Sequence, residues 1–562
     1  MKRTLFFKLS VCVLSLCIMP VMAQTKYHVN VNKGDDTNDG LKWASAFENI
    51  QAALDKVEAN DTILVAAGVY FPTKKYAESY KDGTPTTEKA CSFVIPNGVV
   101  LLGGFPANQS DETGMSSRNW IVNTTILSGD LNGDDLYGRI DDNAHHIIIL
   151  FDASPRTVID GFYLYGGNSN ATETAYYKED TRYHILSGCG AAIYSYSFVS
   201  TASPTLRNLV IQSNNASNKG GGFFNYSQND DASPEITNVE FIDNKVTSSV
   251  TTGGGRGGGL CIEGRTISAK ITNVIITGNS ALSNGFSYGG GAYFRAINDC
   301  RPEIQNTLIA GNISNAGGGI FFNSTAQTTA PVLTNVTISG NKAVARNNTD
   351  GNDDGGGMTV FASTGDASPV IQNTVICDNA GDVQKDILVI GKGGTNPTYS
   401  YSFVKNKELG GTNLAGNTST ELMFAFPGNA ELAPFGKTRY NYQLRVESPL
   451  INKGNNMLLS LTNDLAGQNR IYGGTIDIGA YESQGTVPLK NENSFEEKSV
   501  WSYNGSLYVR INTSASLYIY SIDGKLVKHI NNLGSGSYQF SLPGGIYIVT
   551  LSNGVSEKVV IR

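Results

Sequence analysis

Six segments of this 562-residue chain open with variants of a single phrase. Five are SPTLRNLVIQSN at Ser203, SPEITNVEFIDN at Ser233, RPEIQNTLIAGN at Arg301, APVLTNVTISGN at Ala330 and SPVIQNTVICDN at Ser368. The sixth, AKITNVIITGN at Ala269, lacks the proline. Counted from Pro204, Pro234, Ala269, Pro302, Pro331 or Pro369, one Asn falls four residues on: Asn208, Asn238, Asn273, Asn306, Asn335 and Asn373. Another falls ten on: Asn214, Asn244, Asn279, Asn312, Asn341 and Asn379. A glycine triplet follows all but the last, starting at Gly220, Gly257, Gly289, Gly317 and Gly355. From second Asn to triplet the spacing is 6, 13, 10, 5 and 14; from triplet to next phrase it is 14, 12, 13, 14 and 14. One corner of each repeat therefore accepts insertions, and the rest is fixed.

Within the phrase the apolar residues alternate, as in Ile236, Val239 and Phe241, which is strand periodicity with turn signals at both ends. No helical stretch separates the strands. A unit of ~20–40 residues made only of short strands and Asn/Gly corners reads as a solenoid coil, and the fold that satisfies it is a parallel β-helix. Coils stacked at ~4.8 Å place equivalent residues above one another. Stacked Asn side chains can then bond each other and the corner backbone, and Gly triplets allow positive φ and close backbone approach. These Asn and Gly residues are read as structural.

Residues 1–23 read as a secretory signal peptide: Lys2 and Arg3 precede an apolar run from Leu5 to Met22, and Val21-Met22-Ala23 supplies small residues for cleavage. Removing Lys2, Arg3 and Lys8 takes the net charge from −7 to −10, with 39 basic against 49 acidic residues. An acidic product argues against nucleic acid as a partner. No second long apolar run exists, so no transmembrane helix is expected in the mature chain. Five Cys remain: Cys91, Cys189, Cys261, Cys300 and Cys377, with no CxxC or Cys/His zinc pattern. Cys261 and Cys377 lie on strand patterns and read as core residues.

After Tyr27, Ser45 and Glu48 form a capping-box pattern, and Phe47, Ile50, Leu54 and Val57 recur at helical spacing. An amphipathic helix here would cover the open first coil. This segment, with GDDTNDG, Trp43, Ala46-Phe47, IQAAL and DTILVAAGVY, resembles the opening of bacterial right-handed parallel β-helix proteins of the pectate-lyase-like superfold. The GGG-plus-GN repeats resemble those of polymorphic outer-membrane proteins, which are surface adhesins. Residues 442–483, with SPLINKGN and TNDLAGQNRIYGGTIDIGAYES, are similar to the tail that closes many exported β-helix proteins. The resemblance implies an all-β, right-handed solenoid over 24–483; handedness rests on it alone.

A polar linker follows at 484–498, and residues 499–562 change character, with short alternating strands such as SLYVRI, SLYIYSI and GIYIVTL. This spacing suggests a small β-sandwich, with a hairpin at Asp523-Gly524. The segment resembles the C-terminal sorting domain of type IX secretion substrates, the matching residues being Ile519, Tyr520, Asp523, Gly524, Lys525, Gly545, Ile546, Tyr547 and the terminal KVVIR. That resemblance implies the type IX secretion machinery as partner and a secreted or outer-membrane surface location.

The chemistry is sparser. Asp130, Asn132 and Asp134 have the one-three-five spacing of a calcium loop, with Asp141 at position twelve; position six is Asp135, not the Gly the turn needs. The alternatives are a structural calcium site and a solvated acidic loop. His145 and His146 open an apolar strand and read as structural. Polygalacturonase-like enzymes carry NTD, DD, GHG and RIK motifs. Asn348-Thr349-Asp350 and Asp353-Asp354 imitate the first two within one insertion, and the others are missing. Fold alone grants no activity. No catalytic or cofactor-binding residue is therefore assigned, and binding is favoured over catalysis. Insertions on one edge of a solenoid often form its binding face, and here they carry Tyr176, Tyr177 and Tyr288, which could stack on sugars. Three functions stay open: a non-catalytic adhesin or glycan binder, a polysaccharide lyase or glycosidase acting on a uronate-containing glycan, and a passive surface spacer.

Overall fold

The two Asn columns serve different physical ends in the computed structural model. It describes residues 24–485 and 500–561, apart from 112–113, 136–138, 171–173, 250–253, 345–354, 382–384, 460, 504–505, 512–513, 522–524, 535, 544 and 553–555. Five residues of the first column sit inside long strands such as Thr205–Gln212, Glu235–Ile242 and Lys270–Thr277, and Asn373 falls between Val370–Gln372 and Val375–Cys377. There each adopts a left-handed conformation, with φ of 52° at Asn208, 57° at Asn238, 55° at Asn273 and 56° at Asn335. They are mid-strand kinks, not the corners expected from sequence. Asn tolerates positive φ better than other residues with a side chain. Asn238 donates to Asn208 Oδ1 (2.5 Å), and Asn208 donates to Asp160 Oδ1 (2.8 Å).

The second column is a buried amide ladder at the true corner. Asn214 donates through both its backbone N–H (3.2 Å) and Nδ2 (2.9 Å) to Asn244 Oδ1. The same pair of bonds runs from Asn244 to Asn279, Asn279 to Asn312, Asn312 to Asn341 and Asn341 to Asn379. Asn379 passes it to Asp386 Oδ1, at 3.1 and 2.9 Å. All donors point toward the C-terminal end, so a carboxyl group terminates the chain of amide dipoles where its N–H ends accumulate. Each Nδ2 also donates to a main-chain carbonyl, as Asn279 does to Phe241 O (2.9 Å). Corner backbone groups are thus satisfied inside the core.

The coils close as the repeat predicts. Among the described residues, three parallel sheets of fifteen, nine and six strands stack along the solenoid. The first is the long face. The second runs from Phe93–Ile95 at one edge, through Ile148–Phe151, Ile193–Ser197, Phe223–Ser227, Leu260–Gly264, Ala292–Ala296, Ile320–Ser324 and Met358–Ala362, to Ile387–Gly391. The third has short strands such as Asn215–Ala216 and Lys245–Ser248. Inward residues of the long and second faces, such as Ile236, Phe241, Phe223 and Phe294, form one continuous apolar core. The first Gly of each triplet is left-handed, with φ of 57° at Gly220 and 62° at Gly257 and Gly289. The second Gly lies against the next coil: a Cβ on Gly258 would stand 2.4 Å from Gly290 O. Cys91, Cys189, Cys261, Cys300 and Cys377 are free and buried.

The opening segment departs from expectation. Its α-helix covers only Ile50–Leu54, although Phe47, Ile50, Ala53 and Leu54 do join the main core. Ser45 makes no capping box: its hydroxyl donates to Asp39 (2.6 Å), and Asp36 accepts the N–H groups of Glu48 and Asn49 (both 2.9 Å).

Residues 423–483 fold back as a strap over the outer side of the long face. Arg439 pairs with Glu240, Phe435 lies over Gly311 and Gly340, and Asn373 exchanges bonds with the Asn455 backbone (2.9 and 3.2 Å). Outward Leu308, Ala310, Val375 and Cys377 make a second core with Met423, Phe424, Phe435, Tyr442 and Ile478 of the strap. Within it Asp464, Asp477 and Glu482 accept loop N–H groups around the buried Arg470, which accounts for the NDLAGQNR and DIGAYES residues.

At the C-terminal end two antiparallel sheets, of three and four strands, contribute Val509, Ile511, Leu517 and Val549 to one apolar cluster. Lys525 is exposed, Gly545 and Ile546 open the strand Gly545–Leu551, and Tyr547 is buried there. Asp523 and Gly524 lie outside the described residues. No described helix is long and apolar enough to cross a membrane.

Candidate functional site

Side chains alternate across a strand, so each second-face strand has two outward positions. Register stacks them into two columns. One runs Tyr194, Phe224, Cys261, Tyr293, Phe321; the other runs Phe151, Tyr196, Tyr226, Glu263, Arg295, Asn323. With the long face strapped over, this is where aromatic side chains gather outside the main core. Phe151, Tyr194, Tyr196, Phe224, Tyr293 and Phe321 are buried in a second cluster with the insertions, and Tyr177, Tyr183 and Tyr226 remain part-exposed against it. The insertion corner borders it, because each insertion precedes the Gly that leads into a second-face strand.

The aromatic rings form a row. Tyr183 stacks on Phe151 (4.6 Å between centroids, 27°), and Tyr177 leans on the same ring (4.8 Å). Tyr196 lies 6.5 Å from Tyr183 and 5.8 Å from Tyr226. Tyr177 and Tyr183 come from a hairpin, Thr174–Tyr177 paired with Asp180–Leu186, inserted at the variable corner. Beside it the insertion carrying Lys74, Lys75 and Tyr76, the first-coil helix and the hairpin enclose a pocket of about 270 Å³, lined also by Phe151, Gln51 and Leu54.

The carboxylates Asp152 and Glu263 along this face are engaged. Asp152 accepts from Tyr183 Oη, from Ser197 Oγ (2.6 Å) and from the N–H groups of Phe198 (2.9 Å) and Val199 (3.2 Å). Burial alone raises this carboxyl, but the donors, led by Ser197 and Tyr183, outweigh it and hold it below its ordinary range. Glu263 is buried between Lys219 (2.7 Å) and Arg256 (3.4 Å), which overcome burial and keep it ionised. Lys219 and Arg256 stack with Tyr288 in one column of bridges before the Gly triplets. For Lys219 too, burial lowers the ammonium but Glu263 more than compensates, so it stays protonated.

The three tyrosines singled out in the sequence thus separate. Tyr177 lines the pocket. Tyr176 turns to the other side of the hairpin, edge-on to His184 at 5.0 Å. Tyr288 packs edge-on against Phe321 at 5.0 Å. Phe151, Tyr183, Tyr196 and Tyr226 were missed; for Tyr196 and Tyr226 the signal was aromatic residues at both alternate positions of IYSYS and FFNYS. His146 is fully buried with Nδ1 facing Gly190 O (3.0 Å), and burial pushes it down to about 3. His145 is likewise buried.

The acidic loop is rearranged from its expected pattern. Asp130, Asp134 and Asp142 bring carboxylate oxygens within 4.8 Å of one another and are the described residues that could hold a cation. Asn132 offers its backbone N–H to Asp142 instead of a side-chain oxygen (3.2 Å), and Asp141 is not in the group. Asp130 also accepts the N–H of Asp134 (3.0 Å) and Asp135 (3.2 Å), which closes the turn without Gly at position six. Asp135 is pushed up to about 7 by burial and then by Asp130. Asn348 to Asp350 and Asp353-Asp354 lie outside the described residues.

No protein-family model matches the chain, and no curated protein matches it. Among solved structures, that of the pectate lyase Pel9A is similar over 82% of this chain and 96% of that chain, at 13% identity and a TM-score of 0.38. The complex of XylC with xylose is similar over 92% of this chain and 100% of that chain, at 9% identity and a TM-score of 0.23. Likenesses of this size carry no argument about the site.

Proposed function

We propose that this chain is an exported cell-surface β-helix protein that binds a glycan without cleaving it, through the aromatic outer side of its second face. The part-exposed rings Tyr177, Tyr183 and Tyr226 carry the reading, with the buried Phe151 and Tyr196 packed beneath them as support. Aromatic faces present large, rigid apolar area with polar edges, which suits the C–H faces of sugar rings. A glycosidase needs a protonated carboxyl poised to donate and a second carboxylate across the bond. The carboxylates beside the row, Asp152 and Glu263, are both held ionised by partners they already have. Export rests on the signal-peptide pattern of residues 1–23 and the type IX sorting resemblance of residues 499–562, with that secretion machinery as the delivery partner.

The test is to incubate the mature protein with plant, host and microbial polysaccharides, following both retention on immobilised glycan and release of reducing ends or unsaturated uronates. Retention without release is expected. Release of products would overturn the non-catalytic reading, and the absence of both signals would leave a spacer or a protein ligand.

A further inference from the structure

The geometry points to the pocket beside Tyr177 as the seat for the terminal, uncharged hexose of a glycan chain; this rests on the glycan-binding reading above. Three observations carry it. First, the row ends there. Phe93–Ile95 is the edge strand of the second face, and the first-coil helix walls the pocket with Gln51 and Leu54. A chain running past the part-exposed Tyr226 and Tyr183 meets the first-coil helix beyond the last ring, where the pocket of about 270 Å³ has room for one sugar ring.

Second, the pocket is lined for a ring with hydroxyl groups. Phe151, Tyr177 and Tyr183 supply faces, and Gln51 Oε1 is a buried acceptor with no hydrogen-bond partner. A buried acceptor without a donor is costly; a turn of the Gln51 side chain would bring this oxygen, closed to solvent as it stands, to a sugar hydroxyl.

Third, the ammonium groups of the pocket are already neutralised. Lys74 pairs with Asp55 (2.8 Å) and Glu179 (3.9 Å), Lys75 with Glu88 (2.9 Å) and Lys178 with Glu78 (3.2 Å). Three cations face four carboxylates, which leaves no surplus positive charge for a uronate or sulfated sugar.

The experiment is titration calorimetry of the mature full-length protein with three sets of oligosaccharides. These are neutral hexo-oligosaccharides, the same chains blocked at the terminal 4- and 6-hydroxyls or oxidised at the reducing end, and oligogalacturonides. Neutral chains with free ends should bind, and blocking one end should weaken binding at least tenfold. Tyr177→Ala should weaken it about tenfold, beyond any loss of hairpin packing that its melting curve reads, and Gln51→Ala should weaken it several-fold at unchanged melting temperature. Equal binding of end-blocked chains, a preference for oligogalacturonides, or indifference to both variants would overturn the pocket assignment while leaving glycan binding intact. Binding of none of the three sets, with retention on some other polysaccharide, would also overturn it. Absence of any glycan binding would remove the underlying reading and this one with it.

Discussion

Asn312→Ala should cost about 3–5 kcal/mol, although it removes only a small side chain. The substitution deletes four hydrogen bonds. Oδ1 accepts the Asn279 N–H (2.9 Å) and Nδ2 (3.0 Å), and Nδ2 donates to Ile276 O (2.9 Å) and Asn341 Oδ1 (2.9 Å). Two of the groups left behind keep partners. Asn279 Nδ2 still reaches Phe241 O and Thr277 O, and Asn341 Oδ1 still accepts the Asn312 backbone N–H. The Asn279 N–H does not, and a buried donor so stranded costs about 1–3 kcal/mol, with the other bonds adding roughly 1 kcal/mol each at most. Asn312→Asp separates the contributions: it keeps the acceptor, loses the donors and sets a carboxylate against Asn341 Oδ1. Its deficit should shrink on acidification, when the protonated oxygen regains one donor. Denaturant unfolding followed by tryptophan fluorescence, with hydrogen exchange at Asn279, reads both. A loss below about 1 kcal/mol for Asn312→Ala would refute the view that the ladder holds the corner.

Asp386, at the ladder's end, is pushed from 3.8 up to about 6 by burial, with Asn379's bonds acting against the shift. The folded state therefore favours the protonated acid. Its contribution is present below pH 4 and is lost as pH rises to 6, by up to about 3 kcal/mol. Asp386→Asn should lack that slope, so its stability relative to the parent should rise across pH 4–7 in parallel denaturant titrations. Asn238→Gly should be nearly neutral, whereas Asn238→Ala should cost about 1–2 kcal/mol, because only the latter strains a left-handed residue; melting curves of the two variants decide it. Phe435→Ala should cost about 3–5 kcal/mol and expose Cys377 beneath the strap to thiol reagents while Cys300 in the main core stays protected; mass spectrometry of labelled peptides reads this.

The coils were legible because their constraints are periodic. Alternating apolar residues, a Gly that must take positive φ and an Asn at a fixed offset recur in the same order, and the structure uses each. The two Asn columns look alike in sequence yet differ physically. One answers to backbone conformation and the other to stranded corner amides, and only three-dimensional register separates them. The strap was legible as a closing segment, but not its path: the outward apolar residues Leu308 and Val375 look like ordinary strand residues until Phe435 and Tyr442 arrive over them. The site was half legible. Tyr177 drew notice because it lies in an insertion. Tyr196 left a trace in the alternating aromatics of IYSYS, whereas Tyr183 gains meaning only from a hairpin laid against Phe151, which leaves no motif.

The strap also acts as a gauge. It is tied to successive coils at Glu240, Gly278, Gly311, Gly340 and Asn373, so its length must match the rise between them. Ladder and glycine triplets are indifferent to the number of coils, since every coil offers the next the same groups. Coils ahead of Glu240 can be gained or lost without misfitting the return segment, whereas one removed between Glu240 and Asn373 leaves it too long by a full rise. The molecule's height is thus free to drift at the pocket end and held constant beneath the strap.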